Sequence, residues 1–197
     1  MAYQNGSRVS DKLTEIEVAI QETNEQLQAL IDKRLSTHPE QFASYERELK
    51  RLTDRLHDLL MAQQLQRQLG SEEMRQAEQK CAEGSGEKMK NFGFREVTVQ
   101  FLGGLEIKLW ARYYARNKTR AKRGKGAFYS LLLLGIHNHC SPALASEVAK
   151  LAAAMNSLDD ARMQLGERFR FVGGSNQSFT SRNTRPGRSI QARRASE

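Results

Sequence analysis

The first third of the chain alternates apolar and polar residues with the seven-residue repeat of paired helices. Between residues 11 and 35 the apolar positions lie three or four residues apart around Thr23, and they are Leu13, Ile16, Ile20, Leu27 and Leu30. A second stretch continues this spacing with Phe42, Tyr45, Leu49, Leu52, Leu56 and Leu59. Such heptads are typical of helices that pack through one seam. Because residues 36–41 (STHPEQ) combine capping-box spacing with a first-turn proline, the sequence predicts an antiparallel coiled-coil hairpin. The alternative is that each helix pairs with a second copy of the chain.

The pattern changes after residue 70. A short polar helix is expected over residues 71–83, followed by a linker over residues 84–93 that begins with GSGEK. Residues 97–109 then alternate between apolar and polar around Gly103-Gly104. This alternation predicts a β-hairpin with a two-residue turn.

Three helices are predicted to complete a second domain over residues 94–167. Residues 127–136 (AFYSLLLLGI) are apolar all round and predict a buried helix. Ser141-Pro142 and the capping-box spacing of Ser157 and Asp160 mark the starts of two more. The expected fold is therefore mainly α: a coiled-coil helical hairpin in residues 1–83, a linker, and a small α+β domain of one β-hairpin plus about three helices. Residues 168–197 are basic and too polar to form a core, which predicts a disordered tail.

The positive charge of the chain is concentrated in one short stretch. The formal net charge is +8, and residues 107–126 alone hold eight basic residues and no acidic one. Clustered cations without acidic neighbours repel one another and suit a polyanion, so this stretch predicts contact with nucleic-acid phosphates. The predicted phosphate-binding residues are Lys108, Arg112, Arg116, Lys118, Arg120, Lys122, Arg123 and Lys125.

Aromatic residues at the start of this stretch have two interpretations. Trp110, Tyr113 and Tyr114 offer surfaces on which bases stack, and Tyr114 is therefore included among the nucleic-acid-binding residues. Strand alternation favours instead the burial of these aromatic rings against the helices.

The two helices that begin at Ser141 and Ser157 have the spacing of a helix-turn-helix. In that arrangement Arg162 and Gln164 would lie near the exposed face of the second helix, and both side chains are chemically able to read base edges. Helix pairs with short turns are equally common in proteins that never touch DNA, so both interpretations stay open.

Other chemistries find little support in the sequence. His137, His139 and Cys140 are too close together to surround one ion, so a polar connection is expected and neither a metal nor a cofactor is predicted. Phosphate-binding glycine loops, nucleophile elbows and paired catalytic carboxylates do not occur, which argues against catalysis and a small-molecule substrate. The separate cysteines, Cys81 and Cys140, fit reduced thiols. The longest apolar run, residues 131–136, is too short to cross a membrane, so a cytoplasmic protein is expected.

Several motifs follow one another in a fixed order between residues 94 and 167. They are the strand end Arg112 to Tyr114, LGI at residues 134–136, Ser141-Pro142, Val148 with Ala149, and the spaced Ser157, Ala161 and Leu165. This order resembles the N-terminal region of bacterial insertion-sequence transposases of the DDE type. In that family an RNase H-like domain with three metal-binding carboxylates follows, and nothing of it is found in this sequence. The resemblance implies a truncated or frameshifted transposase that retains DNA binding but is not an enzyme, because cleavage requires those carboxylates.

Together these features predict a transposase fragment that binds double-stranded DNA through residues 108–125. Such a fragment would be inert, or would inhibit a full-length relative by occupying its DNA ends or by pairing through the coiled coil. The alternative is a coiled-coil interaction or scaffold protein whose basic loop binds RNA or an acidic partner.

Overall fold

The computed structural model describes residues 3–33, 38–86, 88–116 and 126–155, together with residues 157, 159, 160, 163, 164 and 166. This part of the chain contains five named helices and one two-stranded antiparallel sheet. In chain order they are α1 (Tyr3–Ile31), α2 (Pro39–Gly70), α3 (Glu72–Gly84), β1 (Met89–Gln100), β2 (Glu106–Arg116), α4 (Tyr129–Leu133) and α5 (Pro142–Ala154). The predicted fold class, mainly α with one β-hairpin, is confirmed.

The first two helices fold back on each other along the predicted seam. Ile16 of α1 and Leu59 of α2 are buried. Their directions are antiparallel, since a Cβ on Gly70, the last residue of α2, would lie 3.2 Å from Cγ1 of Val9 near the start of α1. At the middle of α1, Glu17 accepts hydrogen bonds from Gln63 (3.0 Å) and Arg67 (3.3 Å) of α2. The heptad seam is therefore closed within one chain.

The glutamine-rich end of α2 stays helical and packs against the sheet. Gln66, Leu69 and Ala62 are all fully buried. The Gln66 amide accepts a hydrogen bond from the Trp110 backbone N–H (2.8 Å) and donates one to the Trp110 carbonyl (3.1 Å). A side-chain amide therefore takes the place of a neighbouring strand and satisfies the outer edge of β2.

Asp58 of α2 holds the tip of the hairpin. Its buried carboxylate accepts hydrogen bonds from the backbone N–H groups of Gly103 (2.9 Å) and Leu105 (3.0 Å). A Cβ on Gly103 would lie 2.6 Å from Oδ2 of this carboxylate, so the close approach to α2 requires glycine. The predicted two-residue turn is wrong: residues 101–105 connect the strands, and only Gly104 of the glycine pair has a positive φ, of 89°. The longer connection follows from docking on Asp58.

β1 begins earlier than the sequence predicted. Residues 89–93, expected to be linker, belong to the strand, and Met89 pairs with Arg116. A register shift between Asn91 and Phe94 marks an irregularity in the pairing. This shift interrupts the alternation of side chains, which hides the strand from pattern reading.

The helical hairpin and the sheet share one core. Ile16 and Leu59 belong to the same buried cluster as Val97 of β1 and Leu109 of β2. The sequence predicted a linker between the helical hairpin and the second domain. In the structure the two regions instead pack directly against each other.

α4 is shorter and more exposed than the apolar run predicted. It covers only Tyr129–Leu133. Leu131 and Ile136 enter the common core, whereas Leu132 and Leu133 are about half exposed. The expectation of a helix buried on all sides is therefore wrong, because only one side of this single turn faces the sheet.

The predicted start of α5 is confirmed. The Ser141 hydroxyl accepts a hydrogen bond from the Leu144 N–H at 3.4 Å, and Leu144 and Leu151 bury one face of the helix. Further along, Ser157 makes the predicted cap with Asp160, whose backbone N–H lies 3.1 Å from the serine hydroxyl. The described residues that follow this cap are helical.

The tail predicted over residues 168–197 lies outside the described residues. Among the helices that the structure describes, none combines the length and the apolar character needed to span a bilayer.

Candidate nucleic-acid interface

Four of the predicted nucleic-acid-binding residues lie on β2, and they fall into two groups. Lys108 and Arg116 are exposed, whereas Arg112 and Tyr114 are only 8% and 5% exposed. The Lys108 ammonium lies 3.1 Å from the carboxylate of Glu96 on β1, and its side chain is 63% exposed. Because an exposed ion pair contributes only about 0.2–1 kcal/mol, this ammonium is free to exchange its partner for a phosphate.

Arg112 is already used inside the protein. Its guanidinium donates to the carbonyls of Leu69 (3.0 Å) and Gly70 (3.4 Å) at the end of α2, and lies 3.3 Å from the carboxylate of Glu78. Carbonyls at a helix C-terminus lack helical partners and carry the negative end of the dipole, so a cation is stabilising there. The prediction that Arg112 contacts phosphate is wrong for this fold, because the guanidinium is buried and bonded.

Tyr114 contacts the same carboxylate as Arg112. Its hydroxyl donates to Glu78 at 3.5 Å, and its ring packs edge-on against Tyr129 with centroids 5.3 Å apart. Burial is the main cause that raises the pKa of Tyr114. Burial also raises the pKa of the Glu78 carboxyl, against the opposing influence of Ser130 and Arg112. The prediction that Tyr114 stacks on a base is therefore corrected as well, since its ring is enclosed by protein.

The other two aromatic residues of β2 are covered by arginines. The Arg8 guanidinium lies 5.1 Å from the centre of the Trp110 ring. Tyr113 packs between Arg95 at 4.3 Å and the ring of Phe128 at 5.1 Å. Both rings are half-buried, and such cation–π contacts hold them in place. The preference for burial is met by Tyr114, whereas for Trp110 and Tyr113 it stays a prediction.

The basic stretch leaves the sheet and returns to it at two neighbouring points. Tyr114 and Ala127 bond to each other through both backbone groups, at 2.9 and 2.8 Å. A Cβ on Gly126 would overlap the ring of Tyr113, so the returning chain passes directly against the sheet. Residues 117–125 lie outside the described residues, and with them five predicted contacts: Lys118, Arg120, Lys122, Arg123 and Lys125. The sheet therefore holds both ends of the segment that carries these five cations.

A groove that the sequence analysis missed opens beside these ends. It runs between α3 and the start of β1 and has a volume of about 600 Å³. Its charged lining residues are Arg75, Glu83, Lys88 and Lys90. Met89, which also lines the groove, pairs across the sheet with Arg116, the last residue before the basic segment. The sequence signal for this groove is the Lys88-x-Lys90 spacing, which places two lysines on one side of an extended chain. A linker over residues 84–93 gives that spacing no role.

The two predicted base-reading residues give limited information. Gln164 is helical and half-buried, and Arg162 lies outside the described residues. The helix-turn-helix therefore stays a prediction.

The histidine-rich connection has a structural role. His139 Nδ1 lies 2.8 Å from the Thr98 carbonyl, and the Gln100 N–H donates to the His139 carbonyl at 2.7 Å. Cys140 closes the turn by donating its N–H to His137 at 2.9 Å, and burial raises the pKa of the Cys140 thiol. These residues form the polar connection that was expected. Within the described residues, no group of three His, Cys, Asp or Glu is placed to hold a metal ion.

Comparison of this chain with protein-family models, with curated proteins and with solved structures gave no match. The resemblance to transposases therefore rests on the motif order in residues 94–167 alone.

Proposed function

We propose that this protein binds double-stranded DNA and that residues 117–125, with the flanking Lys108 and Arg116, supply its main phosphate contacts. One observation carries the proposal: five cations without an acidic residue lie between two chain ends that the Tyr114–Ala127 bridge holds side by side. Duplex DNA carries one negative charge per roughly 1.7 Å of axis. A short segment with five cations matches this dense line of negative charge. Because both of its ends are tethered, the segment also loses less conformational freedom on binding than a free tail of the same charge.

The transposase resemblance supplies a biological context for this proposal. The motif order includes a β-hairpin, a helix opened by Ser141-Pro142 and a cap at Ser157. The hairpin, α5 and the Ser157 cap in the described residues support this context. In this context the chain binds element DNA without cutting it. It would then be inert, or would compete with a full-length relative for the same DNA.

Neutralising the tethered segment tests the proposal. Fluorescence anisotropy of labelled duplex DNA is measured over a range of salt concentrations with a fivefold alanine variant of Lys118, Arg120, Lys122, Arg123 and Lys125. Each lost phosphate contact reduces the log–log salt slope by about 0.9, so we expect a reduction of roughly 4 to 5.

A charge-matched control separates a local contact from general attraction. It replaces five exposed cations elsewhere, Lys33, Arg47, Lys50, Arg67 and Lys150, by alanine. We expect the control to keep a salt slope close to that of the unmodified protein. Equal losses in the two variants would contradict a specific role for residues 117–125.

A second candidate function is a coiled-coil interaction protein whose basic loop binds RNA or an acidic protein. Exposed apolar side chains on the helical hairpin, among them Val18, Ile31 and Phe42, favour this candidate because a partner helix would remove them from water. Light scattering after size exclusion would detect salt-insensitive self-association or pairing, lost on Val18→Ser and Phe42→Ser substitution. Single-stranded RNA that displaced duplex DNA from the protein would favour the same candidate.

A further inference from the structure

The groove between α3 and β1 has two walls of different construction. One wall is the exposed face of α3, where Arg75, Gln79 and Glu83 follow one another at the four-residue spacing of a helix face. The other wall is the extended chain from Lys88 to Asn91. The groove is thus a feature of the folded protein, because it exists only where the strand that replaced the expected linker runs beside α3.

Positive charge dominates the lining of the groove. Among the described residues that line the groove, Arg75, Lys88 and Lys90 are basic and Glu83 is acidic, and the Glu83 carboxylate accepts a hydrogen bond from Gln79 at 2.9 Å. Lys88 and Lys90 are exposed, and no salt bridge involves either of them within the described residues.

Arg75 is paired with Glu72, and this pair lies at the surface. Its Nε donates to Glu72 at 2.7 Å, while the side chains of Arg75 and Glu72 are 46% and 60% exposed. The guanidinium holds the pKa of the Glu72 carboxyl at about 2. Nε and Nη2 of Arg75 both donate to the Glu72 carboxylate at the surface, so Arg75 binds a phosphate in the groove only where that phosphate displaces the carboxylate.

The groove is continuous with the basic segment. Met89 lies between Lys88 and Lys90 and pairs with Arg116, so the groove cations adjoin the point where residues 117–125 leave the sheet. Two residues of extended chain span about 6.8 Å. Successive phosphates of one DNA strand wind around the axis and are separated by more than their axial rise of about 3.4 Å, so this span suits two neighbouring phosphates.

We propose that the groove holds the phosphate backbone of one strand of bound duplex DNA, with Lys88 and Lys90 as direct contacts and Arg75 as a third. This inference rests on the proposed DNA-binding function and extends it to residues outside the basic stretch. The groove is open and charged, and it takes the sugar–phosphate chain rather than a base, because Tyr114 at its inner side is already packed against Tyr129.

The test compares two charge-matched double variants in the anisotropy titration. Lys88→Ala/Lys90→Ala removes the two groove lysines, and Lys33→Ala/Lys50→Ala removes two exposed lysines near the distal end of the helical hairpin. Lys50 lies 20 residues, or roughly 30 Å of helix, before the end of α2 at residue 70, and Lys33 follows the end of α1, so both control lysines lie away from the groove. The groove variant should reduce the salt slope by about 2 and weaken binding at 0.1 M salt by roughly tenfold or more, whereas the control should change neither.

Lysine footprinting gives an independent readout on the unmodified protein. An amine-acetylating reagent is applied with and without duplex DNA, and the modified lysines are identified by mass spectrometry. We expect DNA to protect Lys88 and Lys90 and to leave Lys33 reactive. Circular dichroism should be identical for both double variants, because all four lysines are exposed.

The outcomes distinguish this inference from the function on which it rests. If the fivefold variant of residues 117–125 loses binding, the groove variant keeps its slope, and DNA leaves Lys88 and Lys90 of the unmodified protein reactive, DNA binding stands and the groove inference is overturned. Equal loss in the groove variant and the distal control also overturns it, since only overall charge would then matter. If the unmodified protein binds no duplex even at low salt, both proposals fail.

Discussion

Replacing Arg112 by methionine removes a buried cation while preserving most of the side-chain length. Arg112 is 8% exposed, and its guanidinium contacts the fully buried Glu78 carboxylate and the last carbonyls of α2. Loss of one member of a buried ion pair costs roughly 3–5 kcal/mol, because the remaining charge is left without its partner. For a chain of this size that cost corresponds to a fall in Tm of about 6–20 °C.

The cost should depend on pH in a definite direction. Burial raises the pKa of Glu78 above its ordinary value of 4.5, and Arg112 opposes this rise, so the variant has a still higher pKa. A carboxyl with a raised pKa in the folded state binds its proton more tightly there than in the unfolded chain. Its stabilising contribution is therefore complete below pH 4.5 and is lost as the pH rises through the folded-state pKa. We expect the stability deficit of Arg112→Met, measured by urea unfolding, to be largest at pH 7 and to shrink toward pH 4.5.

Two further variants make this reasoning refutable. Arg95→Met removes an exposed guanidinium from the same sheet, where it covers Tyr113, and should cost less than about 1 kcal/mol at either pH. Arg112→Met/Glu78→Gln removes both charges and should be at least about 1 kcal/mol more stable than Arg112→Met alone at pH 7. A deficit for Arg112→Met no larger than that of Arg95→Met, or one that is equal at pH 7 and pH 5, would refute the role assigned to the buried pair.

Two other predictions concern the docking of the hairpin on α2, and both are checked by urea unfolding. Gln66→Leu leaves two backbone groups of β2 without partners and should lower the free energy of unfolding by roughly 1–3 kcal/mol. The control Gln64→Leu, at an exposed position of the same helix, should change it by less than about 0.5 kcal/mol. Similar values for the two variants would contradict the edge-pairing role of Gln66. Gly103→Ala places a Cβ 2.6 Å from a buried carboxylate oxygen and should cost roughly 1–3 kcal/mol, while Gly84→Ala, with no atom within 4 Å of the new Cβ, should be neutral or stabilising by up to about 1 kcal/mol. A neutral Gly103→Ala would mean that the tip is not held against α2.

The elements that the sequence predicted well are those whose signals are local. Heptad spacing identified the α1–α2 pairing, and the serine hydroxyls of Ser141 and Ser157 cap the helices that their spacing indicated. Thr23 fills the gap in the first heptad by donating its hydroxyl to the Ala19 carbonyl at 2.7 Å, which lets a polar residue be fully buried there. In each case the stabilising partner lies within four residues along the chain.

The elements that the sequence did not predict depend on distant partners. Asp58 and Gln66 are polar residues of the kind found on a solvent-facing helix, yet both are fully buried. They bond to backbone groups of the β-hairpin that lie 44 to 47 residues away. The same reason applies to the candidate interface. The positive charge of residues 117–125 is evident from the sequence, whereas Arg112 is buried because it pairs with Glu78, which lies 34 residues earlier. Lys88 and Lys90 line the groove because the start of β1 lies beside α3, an arrangement that no local sequence signal indicates.

The salt dependence of duplex binding decides whether this protein neutralises DNA phosphates. The association constant of the unmodified protein for duplex DNA is measured by anisotropy at several salt concentrations. With residues 117–125 in contact with phosphates, the log–log slope should be about −4 or steeper. A slope near zero, or no binding at the lowest salt concentration, would contradict DNA binding by this protein.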